Sequence, residues 1–191
     1  HKEIVLIGGG YIGLEVASAM IELGLKVTIL EAEERILQRV TSPEVSQFYN
    51  DYHSKKGVRI ICNAKVTNLN AENQMINSVS LESGESLAAD IVLVGIGAIP
   101  NTQLAASIGL ECENGIKTDQ CCRTSIPNIL AVGDCTSSFN SLYNKEFRLE
   151  SVPNALAQSN VASSSILGNE LCNNEMPWSR SDQYDLRLHI A

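Results

Sequence analysis

The stretch IVLIGGGYIGLEVASAM, residues 4–20, decides the fold expected of this chain. Its unbroken apolar run at residues 4–7 is typical of a strand buried on both faces of a parallel sheet. Three glycines then force a tight turn, and Tyr11 begins a helix that we expect to end at Gly24. This order of strand, glycine turn and helix predicts the first unit of a Rossmann-like α/β sheet.

The glycines fit the pattern G-x-G-x-x-G at Gly8, Gly10 and Gly13. Gly8 permits the turn, Gly10 lets the backbone approach a pyrophosphate, and Gly13 lets helix and strand pack closely. The backbone N–H groups near Tyr11 and Ile12 would then bind phosphates, because the helix dipole favours anions there. Taken alone, the pattern is also compatible with a glycine-rich turn in another α/β protein.

A second strand, LKVTILE, ends at Glu31, which follows Gly8 by 23 residues. A spacing of about 20 is expected for the acid that binds a ribose 2′-hydroxyl. Because strand, helix, second strand and acid all fall in register, we interpret the segment as a dinucleotide site. Glu31, with Glu33 and Glu34 beside it, predicts a preference for NADH, since these carboxylates would repel a 2′-phosphate.

Periodicity and turn residues predict the elements that follow in the first half of the chain. They are a helix that begins at Pro43 and ends at Gly57, a strand at 58–62, an antiparallel meander at 64–89 and a buried strand at 90–95.

The same signals predict a short helix at 102–109, a short strand at 114–119 and an apolar strand, NILAV, ending at Gly133-Asp134. The segment at 136–148 is expected to be an exposed loop. Ser151 should cap a helix that ends at Gly168, with its apolar face formed by Val152, Ala155, Leu156, Ala162 and Ile166. A last alternating strand, DLRLHI, has no predicted neighbour.

Composition excludes several classes of function for this chain of 191 residues. A net charge of −8 without a basic stripe argues against nucleic-acid binding, and no apolar run approaches the roughly 18 residues of a membrane span. The six cysteines form no C-x-x-C, so we expect no metal site and read them as free thiols in a reducing cytoplasm. The scattered His1, His53 and His189 are expected at the surface or in packing.

Six motifs together resemble those of the flavin-dependent pyridine-nucleotide oxidoreductases, and most closely the ferredoxin/rubredoxin (putidaredoxin-type) reductase branch. They are IGGGYIGLE, VTILE, VGIGAIPNTQLA, GIKTDQCCRTSIPNILAVGDC, RLESVPNA and SDQYDLRL. The resemblance implies an FAD domain interrupted by an NAD domain. On that plan residues 1–98 are the NAD-binding domain, 99–169 the returning half of the FAD-binding domain, and 170–191 the start of a C-terminal domain. The chain is then expected to be a piece of a larger reductase, and to hold little FAD by itself.

The resemblance assigns roles to further residues. Glu15 would lie near the nicotinamide, or would merely favour the helix dipole. Arg39 would lie near the adenosine ribose, or would be a solvated arginine, and Gly97 would let the end of its strand approach the dinucleotide. Asp134 would hold the ribityl hydroxyls of the flavin, with a turn-forming aspartate as the alternative. Val152 begins the helix whose N-terminus would face the flavin pyrimidine.

By resemblance, the function is that of an FAD-dependent NADH:ferredoxin or rubredoxin reductase, with an iron–sulfur protein as partner and no side chain acting as catalyst. One departure concerns PWSRSDQ, which keeps Trp178 but has Ser179 and Arg180 where the family commonly has a second aromatic. The alternatives are an NADH oxidase, a disulfide or monodehydroascorbate reductase of the same superfamily, and a non-catalytic dinucleotide-binding module.

Overall fold

The structure is a computed structural model that describes residues 2–169, 171–173 and 176–191. His1 therefore lies outside the described residues. The chain divides into two compact units, one formed by His1–Gly97 with Arg180–Ile190 and the other by Ala98–Ser179 with Ala191. The predicted boundaries at residues 98 and 169, and the assignment of 170–191 to a third domain, stay predictions.

The part of the first unit that precedes residue 98 forms two sheets with helices in the connections. Its elements are β1 (Glu3–Ile7), α1 (Tyr11–Glu22), β2 (Lys26–Leu30), α2 (Pro43–Lys55), β3 (Arg59–Ile61), β4 (Val66–Glu72), β5 (Met75–Leu81), β6 (Ser86–Ala88) and β7 (Ile91–Val94). The parallel sheet has the order β3-β2-β1-β7, and the antiparallel meander has the order β4-β5-β6. The predicted α/β fold class, a Rossmann-like parallel sheet with a small antiparallel meander, is therefore confirmed.

Apolar side chains on both faces of the parallel sheet form the core of this unit. Leu6, Leu14 and Ile29 are fully buried in the cluster between sheet and helices, and Val5 and Leu30 pack with the meander. This agrees with the continuous apolar runs expected of strands covered on both faces. The helix α2 buries Ser46, Tyr49 and His53, whereas its Phe48 is 53% exposed.

The second unit contains α3 (Gln103–Ser107), β8 (Ile116–Thr118), β9 (Thr136–Asn140), β10 (Lys145–Phe147) and α4 (Val152–Ile166). Its sheet has the order β10-β9-β8, with β8 and β9 parallel and β9 and β10 antiparallel. The expected cap of α4 is confirmed, because the Ser151 side chain accepts a hydrogen bond from the Asn154 N–H.

Three expectations for the second half of the chain are wrong. The apolar segment NILAV is no strand, because its Leu130 makes only an isolated bridge and packs under α4. The predicted exposed loop at 136–148 instead forms β9 and β10, whose buried polar side chains are hydrogen-bonded within the fold. The helix α4 buries Gln158, Val161 and Ala162, whereas its predicted apolar face is largely exposed.

The C-terminal strand also has a partner, contrary to expectation. The strands β11 (Ser179–Gln183) and β12 (Leu186–Ile190) pair with each other in a two-stranded sheet. Leu186 and Leu188 pack against the core of the first unit. His53 of α2 is fully buried there, and its Nε2 lies 2.8 Å from the Gln183 Oε1.

Burial of His53 predicts a loss of stability in mild acid. Burial lowers the pKa of His53 below its ordinary value of 6.5, although the hydrogen bond that His53 donates to the Gln183 Oε1 acts in the opposite direction. The unfolded chain then binds a proton near pH 6.5 that the folded chain does not. The stability contributed by the neutral imidazole is therefore present above pH 6.5 and is lost as the pH falls from there through the lower folded pKa.

We expect the free energy of unfolding to decrease between pH 7 and 5, with a slope of at most about 1.4 kcal/mol per pH unit from this residue. Urea titrations across that range would measure it. His53→Asn should flatten the dependence, because it removes the buried imidazole. Equal pH dependence in the wild type and in His53→Asn would contradict the assignment.

Candidate functional site

The glycine turn between β1 and α1 is shaped by two close approaches of backbone. Gly8 has φ +112°, and a Cβ atom there would lie 2.3 Å from the Gly95 carbonyl oxygen. A Cβ atom at Gly13 would lie 2.2 Å from the Gly8 carbonyl oxygen. Both distances are far shorter than any non-bonded carbon–oxygen contact. Glycine is therefore required at Gly8 by the close approach of Gly95, which follows β7, and at Gly13 by the packing of α1 against the turn.

The remaining glycine of the motif, Gly10, differs from Gly8 and Gly13. A Cβ atom at Gly10 would meet nothing within 4 Å, and its φ of −75° and ψ of 177° suit any residue. Gly10 is the N-cap of α1, and the first turn of that helix carries no acidic side chain. The turn therefore leaves open space at the positive end of a helix dipole, which is the environment that a phosphate group favours.

The carboxylate of Glu31 lies beside this turn and is fixed by two backbone donors. Its Oε2 accepts a hydrogen bond of 2.6 Å from the Gly9 N–H, and its Oε1 accepts one of 2.9 Å from the Glu33 N–H. A carboxylate has about four acceptor sites on its two oxygens. Since Glu31 is only half-buried, it retains acceptor capacity for a ligand hydroxyl.

Gly9 is a residue of this site to which we assigned no role from sequence. A Cβ atom there would lie 2.8 Å from the Ile36 Cγ2 and 3.0 Å from the Glu31 Oε2. The Gly9 carbonyl also accepts a hydrogen bond of 2.9 Å from the Leu37 N–H. Gly9 therefore joins the turn to the loop after β2. The available signal was a glycine at the middle of the three consecutive positions, because the motif requires none there.

The remaining residues assigned to the nucleotide site lie on the same unit but differ in exposure. Glu15 is half-buried in α1, immediately after its first turn. Gly97 follows β7 with φ +103° and open space around its Cα. Arg39 is exposed in the loop after β2.

A neighbouring arginine braces that loop. Arg35 donates hydrogen bonds to the carbonyls of Gln38, at 3.1 Å, and Ser42, at 3.5 Å. This residue was also missed from sequence, because nothing in its spacing distinguishes it from Arg39.

In the second unit, the turn at Gly133-Asp134 lies against the first turn of α4. A Cβ atom at Gly133 would lie 4.0 Å from the Cβ of Ala155. Asp134 and Val152 are both exposed, and Val152 is the first residue of the helix. The structure therefore brings the predicted ribityl-binding acid close to the predicted pyrimidine-facing helix end.

Arg148 links the Gly133-Asp134 turn to a neighbouring segment of the second unit. Its side chain is only 12% exposed and forms an ion pair with Glu150. The guanidinium also donates to the carbonyls of Asp134, at 3.2 Å, and Ala98, at 3.1 Å. A salt-bridged arginine with several carbonyl partners fixes the backbone of the segments that it touches. Arg148 is thus a positioning residue that the sequence motif RLESVPNA contains but did not identify.

Gln158 holds the same turn from inside the unit. It is 2% exposed, and its Oε1 accepts hydrogen bonds from the Gly133 N–H, at 2.6 Å, and from the Thr136 Oγ1, at 3.1 Å. Gln158→Leu would leave the Gly133 N–H without this acceptor, whereas the Thr136 hydroxyl can still donate to the Gly133 carbonyl at 2.8 Å. We expect the free energy of unfolding to fall by about 1–3 kcal/mol, the cost of one unsatisfied donor.

Chemical denaturation of the variant measures this loss. Ser159→Ala, one residue further along α4 at an exposed position, is the matched control and should change stability by less than about 0.5 kcal/mol. If Gln158→Leu were as stable as the control, the amide would have no part in holding the turn.

All six cysteines are free thiols. Burial, followed by the nearby Glu31 charge, raises the pKa of Cys62, and burial raises the pKa of Cys122 to about 11. Such thiols are poor nucleophiles at neutral pH. Within the described residues, no group of three or more His, Cys, Asp and Glu side chains is placed to hold a metal ion. The helices that the structure describes include none with the length and apolarity needed to cross a bilayer.

Comparison with known proteins gives consistent matches. The sequence matches the family described as "Pyridine nucleotide-disulphide oxidoreductase" over residues 1–159. It is 43% identical over 192 aligned residues to putidaredoxin reductase of Pseudomonas putida, which covers 100% of this chain and 46% of that protein. It is 42% identical to a rubredoxin-NAD(+) reductase of Pseudomonas putida, over 86% of this chain and 43% of that protein.

A solved structure matches equally well. The fold superimposes on the reductase of a covalent putidaredoxin reductase–putidaredoxin complex with a TM-score of 0.96 and 42% identity, over 99% of this chain and 46% of that one. The chain thus spans somewhat less than half the length of the relatives that it matches.

Proposed function

Because the chain belongs to the pyridine nucleotide-disulphide oxidoreductase family, we propose that it is part of an FAD-dependent NADH:ferredoxin or rubredoxin reductase. In this proposal residues 1–98 bind NAD, residues 99–169 form one side of the FAD site, and residues 170–191 begin a third domain. The proposal rests on the relatives at about 40% identity and on the geometry of the two candidate sites.

The observation that carries the proposal is the arrangement of Gly10 and Glu31 at the end of the parallel sheet. Gly10 leaves room for a pyrophosphate at the beginning of α1. Glu31 is held beside it by the Gly9 N–H and keeps acceptor capacity for the ribose hydroxyls. The residues present therefore fit a dinucleotide. Glu15 would complete this site near the nicotinamide end and Arg39 near the adenosine ribose, while Gly97 would let the end of its strand approach the dinucleotide.

The turn in the second unit fits a flavin. Asp134 presents an exposed carboxylate that can accept hydrogen bonds from ribityl hydroxyls. The first turn of α4 carries no acidic side chain, so its positive dipole end can stabilise negative charge on the flavin ring system. Arg148 and Gln158 would hold these two groups in place without contacting the cofactor.

When bound, NADH supplies a hydride and FAD converts this two-electron delivery into single-electron transfers. The side chains of this chain bind, orient and adjust charge. Glu31 would select the ribose, the start of α1 would neutralise phosphate charge, and the start of α4 would stabilise negative charge on the flavin. None of these steps requires an acid, a base or a nucleophile from the chain.

The proposed acceptor is an iron–sulfur ferredoxin or a rubredoxin, because relatives at this identity are named as reductases of putidaredoxin and rubredoxin. The proposed compartment is the reducing cytoplasm, which agrees with six unbridged cysteines. We expect none of these thiols to relay electrons, since direct transfer from the flavin suffices.

The test is steady-state oxidation of NADH by the whole protein that contains this chain. Ferredoxin or rubredoxin should accelerate NADH oxidation at least tenfold over the rate with dioxygen alone. Rapid turnover with dioxygen, with a low-molecular-weight disulfide or with monodehydroascorbate, and none with the iron–sulfur proteins, would instead assign one of the alternative activities. Nucleotide binding without turnover on any acceptor would indicate a binding module.

A further inference from the structure

Two cysteines that are far apart in sequence meet in the second unit. The Sγ of Cys121 lies 2.9 Å from the Sγ of Cys172, although 51 residues separate them. We propose that Cys121 and Cys172 are a redox-modification site, which a low-molecular-weight disulfide such as oxidised glutathione converts into an intramolecular disulfide bond.

The backbone around both thiols is held in register. The Asn173 N–H donates a hydrogen bond of 3.0 Å to the Gln120 carbonyl, one residue away from each cysteine. The Cys121 N–H donates to the Asp119 Oδ1 at 2.8 Å, and the Cys121 carbonyl accepts from the Ser165 Oγ at 3.0 Å. The thiols are therefore brought together by fixed segments of chain, and formation of the bond does not require the two segments to find each other.

The two thiols differ in access, which sets the order of the reaction. Cys172 is half-buried, whereas Cys121 is only 9% exposed. An external disulfide therefore reaches Cys172 more readily and reacts there first.

The exchange balances as two displacements. The Cys172 thiolate attacks one sulfur of the external disulfide, the external S–S bond breaks, and one small thiolate leaves. Cys121 then loses its proton to solvent and attacks the Cys172 sulfur of the mixed disulfide, releasing the second small thiolate. Two protein thiols are oxidised to one disulfide, the external disulfide is reduced, and its two thiolates take up the two protons.

The neighbouring thiol is a poor competitor for this pairing. Cys122 is 2% exposed and directs its Sγ to the Gln158 carbonyl at 3.5 Å, under α4. Adjacent cysteines also reach disulfide geometry only with difficulty. The bond between Cys121 and Cys172 would instead join the turn before NILAV to the segment after α4, and it would constrain the unfolded chain.

The test titrates the purified chain in buffers with increasing ratios of oxidised to reduced glutathione. Remaining thiols are alkylated, and the products are analysed by intact mass and peptide mapping. We expect a single alkylated species that carries two labels fewer than the reduced chain, a cross-linked Cys121–Cys172 peptide, and labelling of both residues reduced at least about tenfold relative to Cys62. The melting temperature of the oxidised chain should rise by about 5 °C or more.

Cys172→Ser should abolish this loss of labels and leave Cys121 open to alkylation, whereas the control Cys112→Ser should still form the bond. Full labelling of both residues under oxidising conditions, a stable glutathione adduct at Cys172, or a different cysteine pairing would each overturn the proposal. The site requires neither flavin nor nucleotide, so its test is separate from that of the proposed function.

Discussion

Alanine at Gly10 is expected to weaken NADH binding by about 100-fold while leaving the fold intact. Nothing lies within 4 Å of the added Cβ, and the backbone conformation suits alanine, so the melting temperature should stay within about 2 °C of the wild type. The methyl group would occupy the space proposed for the pyrophosphate and hold the phosphates away from the start of α1. Fluorescence titration with NADH measures the affinity.

Gly13→Ala is the matched comparison, and we expect it to lower stability, which Gly10→Ala should not. Its Cβ would lie 2.2 Å from the Gly8 carbonyl oxygen, so α1 must move away from β1. We expect a loss of about 3 kcal/mol or more in the free energy of unfolding, the upper range for overpacked cores. Unchanged NADH affinity in Gly10→Ala would show that the dinucleotide does not use this turn.

Removal of the Glu31 carboxylate is expected to change the choice of nucleotide. In the wild type we expect NADH to bind at least 100-fold more tightly than NADPH, because a 2′-phosphate would meet the negative charge of this side chain. Glu31→Ala should reduce the ratio of NADH affinity to NADPH affinity at least about 30-fold. The main cause is weaker NADH binding, because the ribose hydroxyls lose their hydrogen bonds to a charged acceptor. Parallel titrations with both nucleotides give the ratio.

Two further variants separate the effect of the Glu31 charge from the effect of its hydrogen bonds. Glu31→Gln keeps an acceptor beside the Gly9 N–H but removes the charge, so it should weaken NADH less than Glu31→Ala does. Glu34→Gln removes a charge from an exposed position of the same loop and should leave the ratio nearly unchanged. Equal affinities for NADH and NADPH in the wild type would contradict the assigned role of Glu31.

The sequence was most informative where local pattern and tertiary structure agree. The segment from β1 through the glycine turn to Glu31 was predicted element by element, because apolar runs, glycines and a terminal acid each act within a few residues. The position of Gly10, the motif glycine with open space around it, could also be predicted. The role of Gly9 could not, since its contacts come from Ile36 and Leu37, on a loop that returns to the turn.

Predictions failed in the second unit for a different physical reason. The segment NILAV is as apolar as a core strand, but its Leu130 packs under a helix instead of pairing in a sheet. The strand that does pair, β9, reads as a polar loop because its buried Thr136 is satisfied by Gln158, which is distant in sequence. A hydrogen bond between distant side chains leaves no periodic signal, and neither does the contact between Cys121 and Cys172.

The first unit is built from two stretches of chain, with residues 98–179 between them. Its last piece, the β11–β12 hairpin, covers His53 and adds Leu186 and Leu188 to the core. During folding, these contacts can form only after the two ends of residues 98–179 have come together. The entropy cost of closing this loop is smaller if the segment has already become compact. Such non-local contacts slow folding. The rate at which the first unit reaches its final state should therefore depend on how fast the second one folds.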